Sequence, residues 1–264
     1  MRILVSFPGR AGDLLWALPT ARAISEAAGT PVDIVIAGEF KSMIPMLKAG
    51  APYLGDVRAL DEWSLTPPDE WLPPLTGDGY DRVYHLGFRG WPDRTLPHFI
   101  YDQMVAEGVS MAPLDLDRPW LTFEPWYWVP HTLVIGWTET WFELKVGLME
   151  LLQRRNHIEG SFFLGTPGSR WVTELQMPPI EWLEAARRIA NCPVFFGDCS
   201  ALHVLACAQG KRCVLVEPME SRHNPIFWSF GMDGPRVTCV KGLDGKPTWD
   251  ARHTADALKA ALHG

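Results

Sequence analysis

An α/β fold made of two Rossmann-like halves is predicted by three observations. Short apolar runs alternate with helix-patterned segments twice along the 264-residue chain. A proline- and aromatic-rich stretch, residues 113–131, separates the two series. Each series holds a strand–turn–helix unit whose helix opens on small or polar residues, Pro8–Asp13 in the first and Gly197–His203 in the second. Strands alternating with helices make parallel sheets covered on both faces. Two such halves facing each other place the expected ligand site in the cleft between them.

The first series begins with a strand over Arg2–Phe7, the glycine turn Pro8–Gly12, and a helix opened by Asp13 that runs through Ile24. Pro19 lies inside that helix pattern, which is tolerable only near a first turn or at a kink. Strands follow at Val32–Ile36, Asp56–Leu60 and Arg82–Leu86, and helices at Glu39–Lys48 and Leu96–Gly108. Residues 61–79 are rich in proline and acid and read as an irregular excursion. After residues 113–131 the alternation restarts with a strand at Thr132–Gly136, a helical stretch at Glu139–Arg154, and a strand at Ser161–Gly165. A helix over Ile180–Asn191 carries a Glu184/Arg188 pair at i,i+4. The strand Pro193–Phe196, a helix ending on Gly210, and strands at Arg212–Val216 and Val237–Val240 lead to a terminal helix at Ala251–Leu262. The expected domains are 1–125 and 126–250, with 251–264 as a terminal helix.

Two chemical features stand out. Asp13 falls at the carboxyl end of the first strand, where open α/β sheets place ligands; the alternative is a plain helix cap. In the second unit Asp198 and Ser200 are both N-cap residue types, and His203 lies on the first turn. Free backbone N–H groups and the positive end of the helix dipole make that N-terminus a natural phosphate site.

The net charge of −7 argues against a broad nucleic-acid surface. The chain lacks a run of about 18 apolar residues, and it enters a strand at once without the regions of a signal peptide. A cytoplasmic location is therefore expected. The five cysteines, at 192, 199, 207, 213 and 239, form no C-x-x-C pair, so buried free thiols are expected and a zinc site is not. Cys199 is the one thiol at a helix N-terminus, where its pKa would fall. Core or interface packing is the expected use of most of the 13 tryptophans.

The opening M-R-I-L-V-S-F-P-G-R-A-G-D-L-L-W-A-L-P-T-A-R-A-I resembles the start of the ADP-heptose:lipopolysaccharide heptosyltransferase family. The run F-F-G-D-C-S-A-L-H-V-L-A-C-A-Q-G-K-R-C-V-L-V-E-P is similar to that family's Asp-x-Gly-x-x-His segment and the strand after it. The resemblance implies a GT-B fold, an acceptor site in the first half, and a nucleotide-sugar site in the second. It implies inverting chemistry with no metal or cofactor beyond the nucleotide-diphosphate sugar co-substrate. Asp13 matches the catalytic base. Asp198, Ser200, Ala201 and His203 match the donor site, and Arg10, Gly12 and Lys145 are further candidates for acceptor or phosphate contacts. The sequence departs from the family pattern at Ser200, where a glycine is usual. It departs again at Glu217-Pro218 and in the following loop, whose Arg222, His223 and Asn224 form a polar cluster.

The leading expectation is a glycosyltransferase acting on a glycan or small-molecule acceptor. One alternative is transfer to hydroxymethylated DNA bases, which the acidic charge disfavours. Another is a nucleotide- or sugar-binding module without catalysis, suggested by the altered donor loop. A dehydrogenase fits less well, because Pro8–Asp13 lacks the third glycine of G-x-G-x-x-G.

Overall fold

The computed structural model describes residues 1–60, 79–87, 94–125, 132–136, 160–164, 180–197, 200–216, 236–240 and 251–263. Among these the chain forms two compact units that part between Thr122 and Phe123.

The first unit is a four-stranded parallel sheet in the order β3-β2-β1-β4. Its strands are β1 (Ile3–Phe7), β2 (Val32–Ala37), β3 (Leu54–Leu60) and β4 (Arg82–His85). β1 is buried at every position, as a near-continuous apolar run in a covered parallel sheet should be. β4 lies on the opposite side of β1 from β2 and β3, so the strand order reverses between β1 and β4. In open α/β sheets ligands bind outside the carboxyl ends of strands at such a switch point.

Helix α1 (Ala11–Ala28) ends in a Schellman turn. Gly29 takes φ +66°, its N–H donates to the Glu26 carbonyl, and the Thr30 N–H donates to that of Ser25. Pro19 is neither in the first turn nor at a break: it is the ninth residue of an unbroken helix. Proline has no N–H to give the carbonyl of Leu15, four residues earlier. The indole N–H of Trp120 donates to that carbonyl instead, at 3.0 Å. Trp120 is 2% exposed and packs on Trp16 with ring centroids 5.5 Å apart. The buried Arg22 donates to the carbonyls of Asp115, Arg118 and Pro119, so the same helix fixes the first part of the proline-rich stretch.

The helix expected over Glu39–Lys48 is instead two pieces, a 3-10 helix (Gly38–Met43) and α2 (Ile44–Gly50). Pro45 cannot donate back into the preceding turn and is accommodated in the first turn of a new helix. α3 (Leu96–Ala106) stops just before Gly108, which takes φ +83°. α1 and α3 pack against each other.

The second unit is a five-stranded parallel sheet in the order β6-β5-β7-β8-β9. Its strands are β5 (Thr132–Gly136), β6 (Gly160–Leu164), β7 (Val194–Gly197), β8 (Arg212–Val216) and β9 (Val237–Val240). Here the order reverses between β5 and β7. α4 (Trp182–Ala190) buries Trp182, Ala185, Ala186, Ile189 and Ala190, a single 3.6-period stripe. Its Arg188 Nε donates to Glu184 at 2.8 Å. α5 (Ala201–Ala208) follows β7, and α6 (Ala251–His263) packs on β8, β9 and β7.

Candidate functional site

The turn between β1 and α1 is tight. A Cβ on Gly9 would lie 2.4 Å from the ring of Phe7, which is fully buried and cannot give way. Arg10 is the N-cap of α1 and its carbonyl accepts the first helical bond, from the Leu14 N–H at 2.8 Å. Asp13 is therefore the third helical residue, after Ala11 and Gly12. Its carboxylate accepts the backbone N–H of Arg10, which is the reach-back half of a capping box. Asp13 is partly buried. Burial pushes its carboxyl up to about 6, against the opposing pull of the Arg10 guanidinium and the Arg10 N–H. The cap and the candidate base are thus the same side chain. A carboxylate near pKa 6 is ionised at neutral pH yet basic enough to accept a proton in a transition state. Arg10 is exposed beside it and Gly12 partly buried.

The same edge of the sheet holds a pair that the strand pattern concealed. Ser6 and His85 face each other in register across β1 and β4, at the switch point. Ser6 Oγ lies 2.6 Å from His85 Nδ1, and Ser6 is 1% exposed while His85 is half-buried. The only signal in the sequence is a lone hydroxyl in the run Ile3–Phe7 and a histidine closing Arg82–His85. A cavity of about 730 Å³ opens at the other end of this sheet, lined in part by Ile3, Ile24, Arg82 and Tyr84. It sits at the amino ends of the strands and includes none of the predicted residues.

In the second unit Ser200 is the N-cap of α5, with extended backbone, and its Oγ accepts the His203 N–H at 3.5 Å. Ser200 and Ala201 are partly buried at the helix start. The helix ends as α1 does: the Gly210 N–H donates to Cys207 and the Lys211 N–H to Ala206, with Gly210 at φ +70°. His203 is fully buried, and its ring interacts with Cys207 one turn along. Cys207 Sγ lies 3.7 Å from Cys213 Sγ, and neither is in a disulfide. Hydrogen bonding from Cys213, against the opposing effect of burial, and then the His203 ring draw the Cys207 thiol below its ordinary value. His203 thus belongs to an interior cluster in this structure. The residues at the open end of the helix are Ser200 and Ala201 with their backbone. Asp198, Cys199, Lys145, Glu217, Arg222, His223 and Asn224 lie outside the described residues.

Among the described residues no group of three or more His, Cys, Asp or Glu side chains is placed to hold a metal ion, and no helix is long and apolar enough to cross a membrane.

Two parallel α/β sheets in succession, each with a strand–turn–helix unit at its point of reversal, define a chain of GT-B type. Comparison with solved structures agrees. The chain is similar to the E. coli heptosyltransferase WaaC solved with ADP-2-deoxy-2-fluoro heptose, at a TM-score of 0.67 and 14% identity, over 98% of each chain. It is also similar to E. coli ADP-heptose lps heptosyltransferase II, at a TM-score of 0.69 and 12% identity, over 99% of this chain and 98% of that one. A glycosyltransferase family 9 structure from Veillonella parvula DSM 2008 matches at a TM-score of 0.65 and 13% identity, over 92% and 86%. At these identities the likeness is one of fold. No protein-family model matches the chain, and no curated protein sequence matches it.

Proposed function

We propose that this protein is a glycosyltransferase that moves a sugar from a nucleotide-diphosphate sugar to an acceptor hydroxyl, with inversion and without a metal. The observation that carries the reading is Asp13: a carboxylate raised to about 6, at the carboxyl edge of a parallel sheet, in a chain of GT-B fold. Asp13 takes the proton of the acceptor hydroxyl as that oxygen attacks the anomeric carbon. The bond from the anomeric carbon to the diphosphate oxygen breaks, and the nucleoside diphosphate leaves. Its charge is met by the N–H groups and dipole at the start of α5, with Ser200 and Ala201 nearest. Asp198, Glu217, Arg222, His223 and Asn224 are assigned to the donor side, and Arg10, Gly12 and Lys145 to the acceptor or phosphate. Nucleotide sugars of the ADP class are the first donors to test, because the similar WaaC structure holds one. The acceptor is a glycan or a small hydroxylated molecule.

The test is nucleoside diphosphate release from a panel of nucleotide sugars, each with glycan, small-glycoside and hydroxymethylated-DNA acceptors. Acceptor-dependent release from one donor is expected. A folded protein that binds a nucleotide but releases nothing with any pair would overturn catalysis in favour of a binding module. Release with DNA alone would move the acceptor to nucleic acid.

A further inference from the structure

We infer that Cys207 and Cys213 form a redox modification site, which a peroxide closes into a reversible disulfide tying the end of α5 to β8. The site lies within the second unit and does not rest on the glycosyltransferase reading.

The main chain sets the placement of the pair. Cys207 is the last residue but one of α5, and Cys213 is the second residue of β8. Gly210, at φ +70°, turns the chain back between them. The Gly210 N–H donates to the Cys207 carbonyl at 2.9 Å, and the Lys211 N–H to that of Ala206 at 3.1 Å. Cys213 lies in register with Phe195 of β7 on one side and Val237 of β9 on the other, so its strand is held at both edges. The outcome is a contact of 3.7 Å between the two sulfurs. A disulfide brings them about 1.7 Å closer, the scale of a side-chain rotation rather than of unfolding.

The two thiols are not equivalent. Cys207 is 9% exposed and Cys213 1%, so a small oxidant meets Cys207 first. Cys213 Sγ also lies 3.7 Å from the Lys211 carbonyl. Hydrogen bonding from Cys213, opposed by burial, and then the His203 ring hold the Cys207 thiol below its ordinary value, which favours the thiolate. Cys192 is the internal contrast: burial, opposed by Lys211, pushes its thiol up to about 11.

The Cys207 sulfur attacks one peroxide oxygen and the O–O bond breaks. The departing hydroxide leaves as water with the proton that Cys207 gave up, and Cys207 becomes a sulfenic acid. The Cys213 sulfur then attacks the Cys207 sulfur. The S–S bond forms, the S–O bond breaks, and the oxygen leaves as a second water with the Cys213 proton. Two thiols lose two electrons in all, and one peroxide is reduced to two waters. A small dithiol reverses the link by exchange.

The test treats the folded full chain with hydrogen peroxide, alkylates the remaining thiols, and maps the peptides without reduction. Trypsin cuts at Lys211 and Arg212, between the two cysteines, and chymotrypsin parts Cys192, Cys199 and Cys207. The expected product is a single link from Cys207 to Cys213, lighter by two hydrogens and opened by dithiothreitol. It should form at least about tenfold faster than Cys192 is modified. Cys213→Ser should stop at the Cys207 sulfenic acid, captured by a 1,3-diketone reagent; if that variant does not fold, the wild-type map alone decides. Cys207 and Cys213 that both stay alkylatable, a link from either to Cys192, Cys199 or Cys239 instead, or a link that forms only in denaturant would overturn the inference.

Discussion

α1 and α5 both leave the carboxyl end of a strand that borders its sheet's point of reversal, and both end in a Schellman turn on a glycine, Gly29 and Gly210. They differ in what occupies the first turn. α1 places its own carboxylate, Asp13, against the N-cap N–H; α5 places a neutral hydroxyl, Ser200, at its N-cap. A helix N-terminus favours negative charge within its first turn. In α1 that preference is already met by the protein, which leaves a group able to take a proton. The first turn of α5 holds no acidic residue, and on the proposed reading the donor diphosphate meets that preference. On the proposed function, the difference lets one supersecondary unit, used twice, serve the two halves of a transfer reaction, the base in one and the leaving-group site in the other.

Asp13→Asn probes the first half. The amide still accepts the Arg10 N–H, so the cap survives while the base is lost. We expect acceptor-dependent kcat to fall by about 10² to 10⁴-fold, the usual worth of a general base, with no fall in the thermal midpoint. A large midpoint drop with activity retained would make Asp13 a cap only, and the two helices would no longer differ in role. Next in size is the anchoring of α1. Trp120→Phe strips the Leu15 carbonyl of its donor and should cost about 1–3 kcal/mol in denaturant unfolding. In a Pro19→Ala background the cost should shrink, because alanine at that position supplies the missing N–H. Equal costs in both backgrounds would disprove the pairing of Pro19 with Trp120.

Ser200→Ala tests the second helix. Loss of the cap should cost about 0.5–1 kcal/mol, at the low end for caps because the bond is 3.5 Å long. Weaker nucleoside diphosphate binding in calorimetry is expected with it, whereas Asp13→Asn should leave that binding unchanged. The last effect concerns pH and stability. The folded Asp13 carboxyl titrates at about 6, above the ordinary value of 3.8, so the native state holds its proton more tightly than the unfolded chain. This contribution to stability is greatest below about pH 4 and is lost as pH rises toward about 6. Unfolding curves of Asp13→Asn against wild type should lose that decline; parallel curves would show that burial does not raise the Asp13 pKa.

The strands were the most legible part of the fold. Arg212–Val216 and Val237–Val240 form over the residues read from sequence, because each is a short run rich in strand-forming residues between turns. What the sequence concealed was long-range compensation. Pro19 reads as a helix breaker until Trp120, 105 residues from Leu15, is brought to the vacated carbonyl. Ser6 and His85 are 79 residues apart, and only the sheet register makes them a pair. His203 illustrates a third case. In Ala201–Ala208 nearly every side chain is apolar, so no amphipathic stripe tells which way the histidine faces. The fold turns it toward Cys207. At Asp13 the turn residues and strand end were enough to mark the position, whereas its raised pKa depends on burial that no local pattern encodes.

The most direct test of the account is the pH dependence of acceptor-dependent kcat/KM for wild type and Asp13→Asn, measured with the donor and acceptor found in the release panel. The account predicts that the wild-type rate rises through a step at about pH 6, as the Asp13 carboxyl ionises, and that the residual rate of Asp13→Asn lacks that step. A wild-type profile that stays flat from about pH 5 to about pH 7, or an Asp13→Asn enzyme that keeps the step, would contradict the assignment of Asp13 as the base.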